Sequence, residues 1–106
     1  MKIDKLSNMT RGWFIGNFTP SVYKTEGFEV GIGTHKKGEV WPRHYHKIST
    51  EYNVLLSGSL TICGETIDAG TIFIIEPNEI AEPIFHEECT IVTVKIPGVL
   101  NDKYIV

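Results

Sequence analysis

No window of helical length in this chain keeps its apolar residues at a 3.6-residue period, while almost every segment alternates or runs apolar over a short strand's length. That predicts an all-β fold. Residues 13–15 suggest a first strand, and in 28–33 the apolar side chains Phe28, Val30 and Ile32 share one parity. Residues 52–56 run to a turn at Ser57-Gly58, and 60–63 reach a turn at Gly64-Glu65, from which Thr66-Ile67 leads to Asp68-Ala69-Gly70. The run 71–75 is apolar on both faces and reads as a buried strand, ended by Pro77-Asn78. Ile84-Phe85 and residues 90–96 supply the closing strands, with Glu87-Glu88 as the turn between them and Pro97-Gly98 as the stop. Many short strands punctuated by Gly and Pro mean a sandwich or barrel. A chain of 106 residues, without repeat or linker, is expected to be one domain (1–106) with a core that needs no disulfides.

Within this frame, residues 38–58 concentrate the chemistry. Gly38 and Gly58 bracket His44, His46 and Glu51. Two residues of extended chain advance about 6.6 Å and return to the same face, so His44 and His46 can converge from one strand while Tyr45 points away. The offset from His46 to Glu51 is odd, which would put the carboxylate on the opposite face of an unbroken strand. Residues 47–50 have the length of a connection that resets the phase, after which Glu51 opens the next strand facing inward. Two neutral imidazoles and a carboxylate suit a divalent transition ion with open positions for water or substrate.

These residues are where the chain resembles the cupin family. That family's first motif is a Gly, five residues, His-x-His, three or four residues, Glu, six residues and a Gly, and positions 38–58 satisfy every element. The second motif is partial. Gly70 can be its first glycine and Pro77 its proline, with Glu79 where the family has Gly, Glu82 where it has the last metal-binding His, and His86 where it has Asn. The resemblance covers 28–97 and implies a cupin-type jelly-roll β-barrel. It carries His44, His46 and Glu51 over as metal ligands, with Glu82 in the fourth position ahead of His86 or a water. It also implies a bound divalent metal (Fe, Mn, Zn or Ni), a small polar metabolite in the barrel, a homodimer, and a menu of isomerase, epimerase, lyase or dioxygenase. Small cupins of this kind are further associated with carbohydrate metabolism. In that reading the ion polarises the substrate and Glu82, as the catalytic group, or a bound water moves the proton. The competing expectation is a metal-free, non-catalytic module that binds a sugar or other small molecule.

A net charge of −3 and a pI near 5.8 give no reason to expect nucleic acid. Residues 1–10 carry charges at Lys2, Asp4 and Lys5, and no segment approaches the ~18 apolar residues of a membrane span, so a cytoplasmic protein is expected. In a reducing compartment Cys63 and Cys89 read as buried thiols. Arg43 and Tyr45 face away from the ligand side by parity, although Arg43 would anchor a substrate carboxylate or phosphate if twisted toward the mouth. His35 reads as a surface histidine, and Lys95 and Lys103 as solvated lysines.

Overall fold

The computed structural model describes residues 1–106. Beyond one 3-10 turn at Leu6–Asn8, the regular structure is all strand: β1 Trp13–Ile15, β2 Glu29–His35, β3 His44–Tyr45, β4 Thr50–Ser57, β5 Ser59–Ile62, β6 Glu65–Asp68, β7 Ile72–Ile75, β8 Ile84–Phe85, β9 Cys89–Ile96 and β10 Tyr104–Ile105. They form a five-stranded antiparallel sheet in the order β1-β2-β9-β4-β7, a three-stranded sheet β6-β5-β8 and a two-stranded pair β10-β3. The all-β expectation holds. No helix is long and apolar enough to cross a membrane.

The large sheet is built on its two longest strands, β4 and β9, whose alternation sets what faces inward. Register pairs Glu51 with Lys95, Asn53 with Thr93 and Leu55 with Ile91, and on the other side of β9 pairs Glu29 with Lys95 and Gly31 with Thr93. The inner face therefore carries one polar end and one apolar end. At the apolar end Leu55, Leu60, Phe85 and Cys89 are buried together, with Trp41, Ile62, Ile67, Phe73 and Ile91 packed around them. Leu55 and Leu60 are fully enclosed, each contributing on the order of 2 kcal/mol. The turn from β4 into β5 needs a glycine: Gly58 has φ +91°, and a Cβ there would lie 2.4 Å from the Glu88 carbonyl oxygen.

Two local expectations change. The run 71–75 is buried on one face only, because β7 is an edge strand paired to β4 alone and leaves Ile72 and Ile74 71% and 51% exposed. The hairpin between β5 and β6 turns at Cys63-Gly64, both at positive φ (49° and 79°), as a tight two-residue turn requires. Cys63 is consequently exposed rather than buried, and it and the buried Cys89 are both free thiols.

Candidate functional site

Strand β3 is only two residues long, and His46 follows directly after it. His44 and His46 share a side, with ring centroids 5.4 Å apart at 63°. Tyr45 goes the other way and stacks on Tyr104 at 5.4 Å. The phase reset has a structural cause. The Asp102 carboxylate, 3% exposed, accepts the backbone N–H groups of Lys47, Ile48 and Ser49 at 3.0, 3.0 and 2.9 Å, so the connection curls around it. Glu51 then starts the inward row of β4, and its Oε2 comes to 3.2 Å from His46 Nδ1. Asp102 also fixes the tail: β10 pairs antiparallel with β3, and Lys103 Nζ comes to 4.7 Å from the centre of the Trp41 ring.

Burial dominates the electrostatics of this mouth. It drives the His46 pKa down to about 4, helped by the positive fields of Lys95 and His44 and opposed by Asp102, so the imidazole is neutral at pH 7. Burial raises the Glu51 carboxyl above the usual range, with Lys95 and Asn53 pulling the other way. Burial likewise raises Glu29 against the pull of Lys95, and lowers Lys103, in the same sense as Arg11 and against Glu51. His44 Nδ1 lies 2.8 Å from the Pro42 carbonyl oxygen, which only accepts, so Nδ1 carries the proton and Nε2 holds the lone pair of the neutral ring.

The fourth expected ligand lies elsewhere. Ala81 pairs with His44 through two backbone hydrogen bonds (3.1 and 2.7 Å) and is buried, as is Phe85, so the odd positions of this segment face inward. Glu82 points outward, 62% exposed at its side chain and 3.9 Å from Arg43 Nε. The structure does not bring it to His46 and Glu51. His86 is outside too, with Nε2 2.7 Å from Thr61 Oγ1. The inward place holds only the Ala81 methyl. His35 is not a surface residue: it stacks on Phe85 at 4.7 Å, and its Nδ1 is 2.6 Å from Glu39.

A divalent ion needs converging donors, and no three His, Cys, Asp or Glu side chains come together closely enough to hold one. A fixed cation also borders the place. Lys95 stands directly across the strand from Glu51 on the inner face, with its side chain 13% exposed. The residues present do not fit a tightly coordinated metal.

A scan against protein-family models and a search of curated proteins find no match for this chain. Solved structures do match. A double-stranded β-helix protein from Klebsiella pneumoniae aligns at TM-score 0.66 and 20% identity over 80% of this chain and 79% of that one. A cupin protein from Bacteroides fragilis aligns at 0.55 and 25% identity over 76% and 74%. The chain has the cupin fold. A sugar phosphate isomerase from a cupin superfamily, from Silicibacter pomeroyi, aligns at 0.57 and 16% identity over 66% of this chain and 50% of that one.

Within the cupin barrel the mouth also holds Glu29 and Asp102, which nothing in the sequence marked, together with Asn53 and the Lys95 read there as solvated. Parity was the available signal for Lys95, since it shares a face with Ile91 and Thr93. Asp102 lies 53 to 55 residues from its partners, and no local pattern announces such a bond. A concavity of about 580 Å³ lies elsewhere, between the N-terminal segment and Phe14, Val22 and Ile32. It holds no cluster of acid, base or ligand groups.

Proposed function

We propose that the mouth of this cupin barrel binds a small polar metabolite and that His46 and Glu51 handle a proton there. The buried 3.2 Å contact between a neutral imidazole and a carboxyl of raised pKa carries this reading. A neutral imidazole in contact with a carboxyl of raised pKa is a pair that can take or give a proton at a bound substrate. The contact is off line for a hydrogen bond, a looseness common in ligand-free sites that tighten around substrate. His44 adds a second lone pair at Nε2 from a ring whose tautomer Pro42 fixes. Such a set suits proton movement next to a carbonyl, the step shared by isomerases and lyases, and the sugar phosphate isomerase with the same fold supports a sugar-like substrate. No step here needs Glu82 or a metal.

The test is ligand-dependent melting against a panel of sugars, sugar acids and sugar phosphates. We expect at least one compound to raise Tm, and Glu51→Gln and His46→Ala to abolish any isomerisation or elimination of it while the fold survives. Turnover of a bound compound unaffected by both variants would refute the proton role. Binding without turnover in the native protein would leave the non-catalytic module.

We further propose that the chain pairs with a second copy through the outer face of the large sheet. Val30, Ile32, Tyr52, Val54, Leu56, Ile72, Ile74, Val92, Val94 and Ile96 make this face with no charged residue among them, and Tyr52, Leu56, Ile72, Ile74 and Ile96 are openly exposed. Monomers rarely leave so broad an apolar area in water, and a face of like strands is complementary to itself under two-fold symmetry. Sedimentation is expected to give twice the 11.9 kDa chain mass, falling to a folded monomer in the double variant Ile72→Lys, Ile74→Lys. A monomeric native protein at tens of micromolar would refute this.

A further inference from the structure

Three polar groups on the inner face of the large sheet have unfilled hydrogen-bonding capacity, and they share two adjacent cross-strand rows. In the first row, Lys95 stands between Glu29 and Glu51. The Lys95 ammonium has three N–H donors, yet its nearest carboxylate oxygen, Glu29 Oε1, is 4.0 Å away, beyond hydrogen-bond length. Glu29 is itself buried, and its second oxygen, Oε2, has no partner. In the second row, Asn53 is 3% exposed and accepts the Thr93 hydroxyl at 2.6 Å through Oδ1. Its Nδ2 is buried without a partner of hydrogen-bond geometry, so this donor too is unfilled. Buried polar groups in native proteins are nearly always satisfied, so the bare Glu29 oxygen and the bare Asn53 amide describe what is missing from this interior, with the Lys95 ammonium beside them free of any protein partner within hydrogen-bond length. Lys103, over Trp41, adds a second ammonium whose field meets those of Lys95 and Glu51.

We infer that Lys95 is this pocket's built-in cation, across the sheet from the Glu51 carboxylate, and that with Asn53 it holds the oxyanion of a small hydroxylated metabolite whose hydroxyl donates to Glu29. A carboxylate or phosphate accepts from the ammonium and the amide, while a hydroxyl on the same molecule supplies the donor that Glu29 Oε2 lacks. The inference rests on the reading of the barrel mouth as a ligand pocket and narrows that ligand to hydroxy acids and sugar phosphates. Lys95 acts by binding, and no bond is made or broken at its nitrogen.

Calorimetric titration with D-glucuronate, D-glucose 6-phosphate and neutral D-glucose, each with and without EDTA, tests this. The expected result is that one anion binds at least tenfold more tightly than glucose, with EDTA making no difference. Lys95→Met should weaken that anion at least tenfold. If Lys95→Met fails to fold, Asn53→Leu decides: it removes the unfilled donor along with the acceptor of the Thr93 hydroxyl, still melts cooperatively, and weakens the anion severalfold. Glucose binding as tightly as both anions would overturn the charge assignment and leave the pocket itself intact. Loss of binding in EDTA, restored by manganese, would overturn the fixed-cation role. Binding by neither anion would overturn the inference, and the pocket would then stand or fall with the His46 and Glu51 variants.

Discussion

Asp102→Ala is expected to cost about 3 kcal/mol of stability, a drop in Tm of about 12–20 °C for a domain of this size. The variant strips three backbone N–H groups of their acceptor at once, and the Ser49 group among them is fully enclosed. It also frees the tail, since Asp102 is the tether that brings Lys103, Tyr104 and Ile105 against β3. Asp102→Asn should fall between, because an amide oxygen still accepts while its NH₂ meets donors. Burial pushes the Asp102 pKa up, but the three amide donors outweigh it and hold the carboxylate below the ordinary range. A depressed acid stabilises the fold above its unfolded pKa of about 3.9 and loses that contribution as pH falls through the lower folded value, so the clamp is at full strength at neutral pH. An unfolding free energy from chemical denaturation lowered by less than about 1 kcal/mol, against the ~0.5 kcal/mol scatter typical of surface substitutions, would show that the clamp is dispensable.

The second large effect is a pH response carried by His46. Its folded pKa of about 4 lies below the unfolded value of about 6.5, so the unfolded chain takes up the proton first on acidification. The neutral ring's contribution is complete above the unfolded pKa and is lost as pH falls from there toward 4. Linkage puts the loss between pH 7 and pH 4.5 at about 2 kcal/mol. Glu29 and Glu51 oppose it, because carboxyls with raised folded pKa favour the fold as pH drops. Comparison with His46→Gln, which keeps both carboxyls, isolates the ring. The native protein should lose about 2 kcal/mol more than the variant over that interval. Parallel pH curves for the two proteins would mean that the ring is hydrated and free to charge.

How far the sequence alone reaches is clearest at the two ends of the barrel. Alternation and turn residues locate the strands, with β1, β4, β5, β7 and β8 falling on their expected segments, and the spacing of His44, His46 and Glu51 anticipates that they share one interior. Glu82 fails on phase. A one-residue slip in a segment held by Ala81 and His44 moves every side chain to the other face, and the partial second motif left that slip open. Lys95 fails on a default assumption about lysine, although its strand already contained the contrary signal. Val92, Val94 and Ile96 form one wholly apolar face, Ile91, Thr93 and Lys95 a mixed one, and the sheet turns the mixed face inward. Ordinary amphipathic logic predicts the reverse, and it fails because the interior is polar at one end while the outer face of the sheet is apolar. Asp102 was beyond reach, since a carboxylate reveals its long-range amide partners only once the chain has folded.

The split of the inner face into a charged row and a greasy one has an evolutionary corollary. Leu55, Leu60, Phe85 and Cys89 secure the architecture from one half of the lumen, so on the ligand reading proposed above, descendants can exchange Glu29, Asn53 or Lys95 in the other half and acquire new preferences without rebuilding the scaffold.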